Sequence, residues 1–305
     1  MKNLKRILLL SVLFVCWSSA SIAQSLTDGF MMAKGNLCVV GDYSRDSWKE
    51  YWEGTKLRET NYVGTLKTSM AGIMIGHGIT DNFLFTAALP YVWTSSTEFY
   101  NSGQKGFQDL GLGIKWKVFE KSIPEGNISI QPSISATLPV SDYVPDMMPY
   151  SIGNQSTTCM YHMLLHYMTE KNIYLSIMGG YVFRDNINVD ASSYYYKDKL
   201  YYTNEVFVPN LIVYGAKIGY DVERFRIEGW LNVQNSQGGS DIRRNDKPYP
   251  FNRMSYNKAV ISGKYHLQKI SNLSLTASGG YTISGRNVGQ SVSYLVGVQY
   301  ILKVY

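Results

Sequence analysis

The chain is poor in cysteine: Cys16, Cys38 and Cys159 are the only three in 305 residues. Three thiols make no disulfide framework, and no Cys or His spacing suits a metal. Cys38 and Cys159 fall on distant segments and are expected to be unpaired. Long apolar runs are also missing. Past the first 23 residues no stretch reaches the about twenty consecutive apolar residues of a transmembrane helix. Charge of one sign is not in excess either. Lys2, Lys5 and Arg6 are three of the 29 basic residues, and the first 23 positions hold none of the 23 acidic ones. The remainder is only weakly basic, and nothing in it points to nucleic acid. No linker or composition shift marks a domain boundary.

The first 23 residues form a separate object. Three positive charges precede an apolar run from Ile7 to Trp17, and Ser21-Ile22-Ala23 fits a small-x-small cleavage site. This pattern is that of a secretory signal peptide cut after Ala23, leaving 24–305 as the mature domain. A lipoprotein reading through Cys16 fits less well, because Phe14 and Val15 stand where small residues are needed.

What the chain has is alternation. Leu110, Leu112, Ile114, Trp116 and Val118 alternate with Asp109, Gly111, Gly113, Lys115 and Lys117. Ile128, Ile130, Ile134 and Leu138 alternate with Ser129, Gln131, Ser133, Ser135 and Thr137. Phe225, Ile227, Leu231 and Val233 face away from Arg224, Arg226, Glu228, Trp230 and Asn232, and Leu273 to Arg286 reads the same way. A period of two is a strand signal. About twelve such runs occur, each close to the roughly nine to eleven residues that cross a bilayer at a tilt. Gly (27) and Tyr (25) are abundant, as turns and strands favour.

Connections alternate in length. Short ones are expected at Gly78–Asn82, Glu120–Gly126, Thr169–Lys171, Asp221–Arg224 and Gln268–Asn272. Long ones are expected at Asp42–Thr60, Thr94–Lys105, Ser141–Ile152, Asn186–Thr203 and Gly238–Phe251, with Gly285–Gly289 short. A soluble sandwich has no reason to sort its loops, and burying a Ser/Thr/Lys face unpaired costs about 1–3 kcal/mol per group. In a closed barrel that face meets water and no sheet edge is left. The fold class read here is all-β: a transmembrane antiparallel up-and-down barrel of about twelve strands in the bacterial outer membrane. The last run, Val292 to Val304, is apolar on its even positions, so the terminal Tyr305 falls out of phase with the usual aromatic ending.

Three stretches carry a family likeness: GHGITDNFLFTAALPYVW (Gly76–Trp93), GFQDLGLGIKWKVF (Gly106–Phe119) and ATLPVSD (Ala136–Asp142). They resemble the outer-membrane family named for the MetA pathway of phenol degradation. The shared features are the Gly-Ile-Thr-Asp turn, the Leu-Pro-Tyr strand end, a Gly-x-x-Asp strand start and a second Leu-Pro. Gly106-Phe107-Gln108-Asp109 stands where the family has Gly-x-Gly-Asp. The resemblance implies a barrel that takes up small hydrophobic or aromatic compounds.

On the polar phase, charges gather toward the short-turn end. Lys115, Lys117, Lys217, Arg224, Arg226, Lys264 and Lys303 lie there, and Lys258 and Arg286 complete the lumen-lining set. Glu228 is placed to pair with Lys217 or Arg226 across a hairpin. Two readings stay open: a basic ring that attracts anionic solutes, or interior ion pairs that fill a narrow barrel. His162 and His166 share a face but lie about 13 Å apart, too far to chelate one metal. No Ser–His pair can be aligned, so an enzyme such as a lipid hydrolase is not expected. Trp48, Tyr51, Trp52 and the Tyr194–Tyr196, Tyr201, Tyr202 group fill two long loops, as a stacking platform or as loop packing and girdle. No cofactor is expected. The expected partners are outer-membrane lipid, the barrel-assembly machinery and a small-molecule solute. The leading function is passive uptake of small solutes, anionic or aromatic ones among them; a structural or recognition barrel is the alternative.

Overall fold

The computed structural model describes residues 26–59, 63–98, 103–243, 246–268, 270 and 272–304. Residues 1–25, which include the expected leader, and Tyr305 lie outside them. Twelve strands make the wall: β1 (Asn36–Trp48), β2 (Leu66–Thr80), β3 (Phe83–Ser96), β4 (Asp109–Trp116), β5 (Gly126–Pro139), β6 (Thr158–Thr169), β7 (Ile173–Arg184), β8 (Leu211–Val222), β9 (Phe225–Ser236), β10 (Ser255–His266), β11 (Leu273–Arg286) and β12 (Val292–Lys303). Each pairs antiparallel with its sequence neighbours. β12 returns to β1 in a ladder running from Asn36↔Lys303 to Ser47↔Val292, so the sheet closes and has no edge.

Alternation sorts the two faces by solvent. On β5, Ile134 is exposed while Ser129, Gln131 and Ser133 are buried. On β8 and β9, Ile218 and Ile227 point out while Lys217 and Arg226 are buried. On β11, Leu275, Tyr281 and Ile283 are exposed and Ser274 and Thr282 enclosed. An apolar outside around a polar inside inverts the order of a water-soluble globule.

Two departures from the sequence expectation bear on the lumen wall. β1 runs on to Trp48, so Asp42 to Ser47 are strand rather than loop; their ladder to both β2 and β12 is unbroken. After β4, Phe119–Ile123 continues to pair with β5, but the register moves by one residue, from Lys115↔Ser133 to Phe119↔Ile130. The extra residue is a β-bulge at Lys117–Val118. It sets Val118 and Phe119 side by side on the outer face, while Lys117 stays half-buried at the short-turn rim and its Nζ pairs with Glu120 at 2.5 Å.

Long loops crown one end and tight turns close the other. The loops fold on themselves. Residues 185–210 and 237–254 share a small core of Ile187, Val189, Val206, Val208 and Phe251, edged by Tyr194, Tyr196 and Tyr249. Val63, Leu66 and Tyr150 form a second, with Trp48 packed against it. Asn287 ties the crown together. It is fully buried, with φ +55°, a left-handed conformation that Asn tolerates better than most residues. Its Oδ1 accepts from Gly54 N (2.8 Å) and Ile242 N (3.0 Å), and its Nδ2 donates to Asp241 Oδ1 (2.9 Å) and Arg253 O (2.8 Å). Asn287→Ala strands two buried N–H groups and is expected to cost about 2 kcal/mol or more. Limited proteolysis checks it: cleavage should appear in 49–65 and 237–254 while the barrel stays intact.

Candidate functional site

The short-turn end of the lumen is stoppered by the chain itself. Gly35, with φ +77°, reverses the direction ahead of β1, and residues 26–33 run back into the barrel. Met32 is fully buried in a cluster with Cys38, Leu84 and Ile301. Lys115 Nζ donates to two carbonyls of the segment, Asp28 O at 2.7 Å and Phe30 O at 3.1 Å. Gln131 Nε2 donates to Gly29 O at 2.6 Å. Gly29 is required here, because a Cβ would fall 2.0 Å from His166 Nδ1.

Phe30 is held on three sides. Its ring centroid lies 5.2 Å from those of His166 and Tyr174, and the Arg226 guanidinium sits 3.5 Å above it. That guanidinium is the centre of the floor. Its Nε and Nη2 grip both Asp221 oxygens at 3.0 Å, and its Nη1 reaches Asp28 Oδ2 at 3.2 Å. Lys217 pairs with Glu228 at 3.3 Å and lies 4.7 Å over the Trp230 ring. Glu228 also accepts from Tyr174 Oη.

Burial alone would raise the Asp28 carboxyl, but Arg226, Lys217, Lys264 and Lys115 outweigh it and hold it at about 2. The docked value lies below that of a free carboxylate. Its contribution to docking is therefore complete above about pH 4 and is lost as pH falls toward about 2. Pepsin clipping at Phe30 should speed up over that window. Asp221, Glu228 and His166 also face the floor, so Asp28→Asn is the control: its clipping should be fast throughout and nearly flat with pH.

Above the floor the lumen opens into a cavity of about 720 Å³. Thr27, Asp28, Lys217, Arg226 and Lys264 lie at its base, and Met74, Met160, Met178, Val182 and Trp230 supply apolar wall. His162 Nδ1, Asp42 Oδ1 and Gln299 Nε2 are buried in the lining without a protein hydrogen-bond partner among the described residues.

The charged residues expected to line the lumen divide into two groups. Lys115, Lys217, Arg226, Glu228 and Lys264 meet at the floor. Lys258 faces the lumen higher up and pairs with Asp46 at 3.0 Å. Four others sit elsewhere. Lys117 is half-buried at the short-turn rim, where it pairs with Glu120 rather than joining the floor, and Arg224 and Lys303 are exposed at the same rim. Arg286, the last residue of β11, leaves the lumen to hold Asp241 in the crown with two bonds of 2.7 and 2.6 Å, which lowers the Asp241 carboxyl. Among the loop aromatics, Trp52 is buried, Trp48 packs on Tyr51, Tyr201 stacks on Tyr194 at 5.5 Å, and Tyr195 is exposed.

One expectation is overturned. Ser–His contacts do form: His166 Nδ1 to Ser176 Oγ at 2.8 Å and His266 Nδ1 to Ser274 Oγ at 2.7 Å. Both serines point inward and are almost wholly buried, at 2% and 1% exposure, so neither meets lipid. Cys38 and Cys159 are both free thiols. No cluster of metal-ligating side chains occurs among the described residues.

A closed antiparallel barrel of twelve strands, greasy outside and polar within, defines the outer-membrane β-barrel class. Within it, the fold is similar to that of the COG4313 outer membrane channel from Pseudomonas putida F1, with a TM-score of 0.68 over 90% of this chain and 98% of that one. Identity is 12%, so the likeness is one of fold. More distant is the NanC porin, with a TM-score of 0.49, 11% identity, and coverage of 87% and 98%. No protein-family model and no curated protein matches the sequence.

Proposed function

We propose that the protein is an outer-membrane channel for passive uptake of small solutes, with preference for an anion carrying an apolar or aromatic body. The cavity carries this reading: a methionine- and tryptophan-bearing wall stands over a base of Lys217, Arg226 and Lys264. Apolar wall with a few convergent polar groups is the usual make-up of a small-molecule site, and His162 and Gln299 offer further hydrogen bonds. The resemblance to the phenol-degradation family, carried by Gly76–Trp93, Gly106–Phe119 and Ala136–Asp142, supports an aromatic solute. In this reading the leader is removed after Ala23, the barrel-assembly machinery inserts the mature chain into outer-membrane lipid, and the stopper faces the periplasm.

Liposome swelling tests it. Benzoate and phenylacetate should enter faster than a neutral pentose. Uniform impermeability would transfer the weight to a recognition barrel, a reading that the folded crown with exposed Tyr195 and Tyr202 favours.

A further inference from the structure

The floor brings four cations, Arg226, Lys115, Lys217 and Lys264, around three carboxylates, Asp28, Asp221 and Glu228. Two of the carboxylates belong to the wall and have wall partners: Asp221 holds the Arg226 fork, and Glu228 holds Lys217 and Tyr174. Asp28 alone stands on a segment outside the barrel ladder. If that segment leaves, Arg226 loses its bond to Asp28 and Lys115 loses the carbonyls of Asp28 and Phe30. Departure therefore costs the site a charge-assisted hydrogen bond and an aromatic contact, and an arriving anion that replaces them favours it.

The geometry of the segment describes that anion. Asp28 offers a carboxylate to Arg226 Nη1, while Phe30, two residues on, lays its ring under the same guanidinium and against Tyr174 and His166. Together they present an acid and a phenyl group to one receptor. Thr27 and Asp28 also form part of the cavity base, so a solute in the cavity meets this receptor first.

We propose that the lumen floor is a binding site for an aromatic monocarboxylate, occupied here by the chain's own Asp28 and Phe30, and that an entering solute of that class displaces residues 26–33. The proposal rests on the channel reading, which makes the cavity a path for solutes. Displacement and binding are then linked reciprocally: whatever loosens the segment strengthens solute binding by the same factor.

The test uses the full mature chain with Leu26→Cys as the reporter and Cys159→Ser to remove the exposed native thiol; Cys38 is buried. Maleimide labelling is followed in buffer, in benzoate, in benzamide, and in chloride at the ionic strength of the benzoate. Benzoate should speed labelling on the order of tenfold, the scale of one charge-assisted hydrogen bond. Benzamide and chloride should not. Asp28→Asn should label fast without benzoate and no longer respond to it, and Asp28→Glu should restore the slow, responsive behaviour. Equal acceleration by chloride would reduce the effect to screening and overturn the site. So would a slow Asp28→Asn variant that still answers benzoate. Labelling does not require solute to cross the membrane. Benzoate-driven release without liposome swelling therefore keeps this site and removes the channel reading, whereas swelling without release does the reverse.

Discussion

Replacing Arg226 with methionine is expected to destabilise the barrel by about 3–5 kcal/mol, the cost of leaving buried charges without their partner. The side chain is 3% exposed and serves Asp221 and Asp28 at once. Methionine matches much of its volume and keeps the contact with Phe30, so packing loss is small. Both carboxylates then stay in a nearly dry site with weaker compensation. Arg226→Lys should fall between the two, because one ammonium cannot grip both Asp221 oxygens and lacks the flat face that lies on Phe30. Urea unfolding of the detergent-solubilised barrel measures the difference. A methionine variant within about 1 kcal/mol of the parent would mean that water reaches the floor freely and screens the carboxylates.

The same residue shows where sequence reading succeeds and where it stops. The barrel was legible because its strands alternate with the wrong hydrophobic logic for a globule. Lys115 beside Trp116, and Gln131 beside Ile130, make sense only if the greasy side meets lipid. Glu228 was expected to pair with Lys217 or Arg226 across the hairpin, and it takes Lys217. In the β8–β9 ladder Gly219 stands opposite Glu228 and Trp230 opposite Lys217, so the pair is a diagonal cross-strand contact within one hairpin.

Contacts across the lumen were not legible. Lys258 on β10 meets Asp46 on β1, with two strands between them around the wall. Arg226 meets Asp28 almost 200 positions earlier in the chain. Strand phase says that a side chain points inward but not which inward residue it finds. Phase also fails at irregularities. The bulge sets Val118 and Phe119 side by side on the outer face, and the strand end releases Arg286 to the crown. The stopper was missed because residues 26–33 have no alternation. Their signal is compositional: Phe30, Met31 and Met32 are large and apolar, whereas a free tail in water would be polar. One acid placed ahead of such a group, in a chain whose lumen is basic, was the available clue.

Fixing the stopper in place should nearly abolish conductance, and deleting residues 26–33 should raise it above the parent's. The segment touches Leu84 on β3, Lys115 on β4, Gln131 on β5, His166 on β6, Tyr174 on β7, Arg226 on β9 and Ile301 on β12. Those strands lie all round the wall, so the segment spans the lumen rather than hugging one side. A twelve-stranded barrel is narrow to begin with, since diameter grows with strand number. Leu26 Cδ1 comes within 2.5 Å of the point where a Gly113 Cβ would stand. Leu26→Cys with Gly113→Cys, in the Cys159→Ser background, is therefore suited to a lock that dithiothreitol can open. In planar bilayers the oxidised protein should pass little current and recover on reduction. The deletion should conduct in either redox state. It should also shift the reversal potential toward anions, because it removes the Asp28 carboxylate from a floor that keeps Arg226, Lys115, Lys217 and Lys264. Equal currents from the oxidised lock, the reduced lock and the deletion would show that ions bypass the segment, and the floor would lose its place on the path.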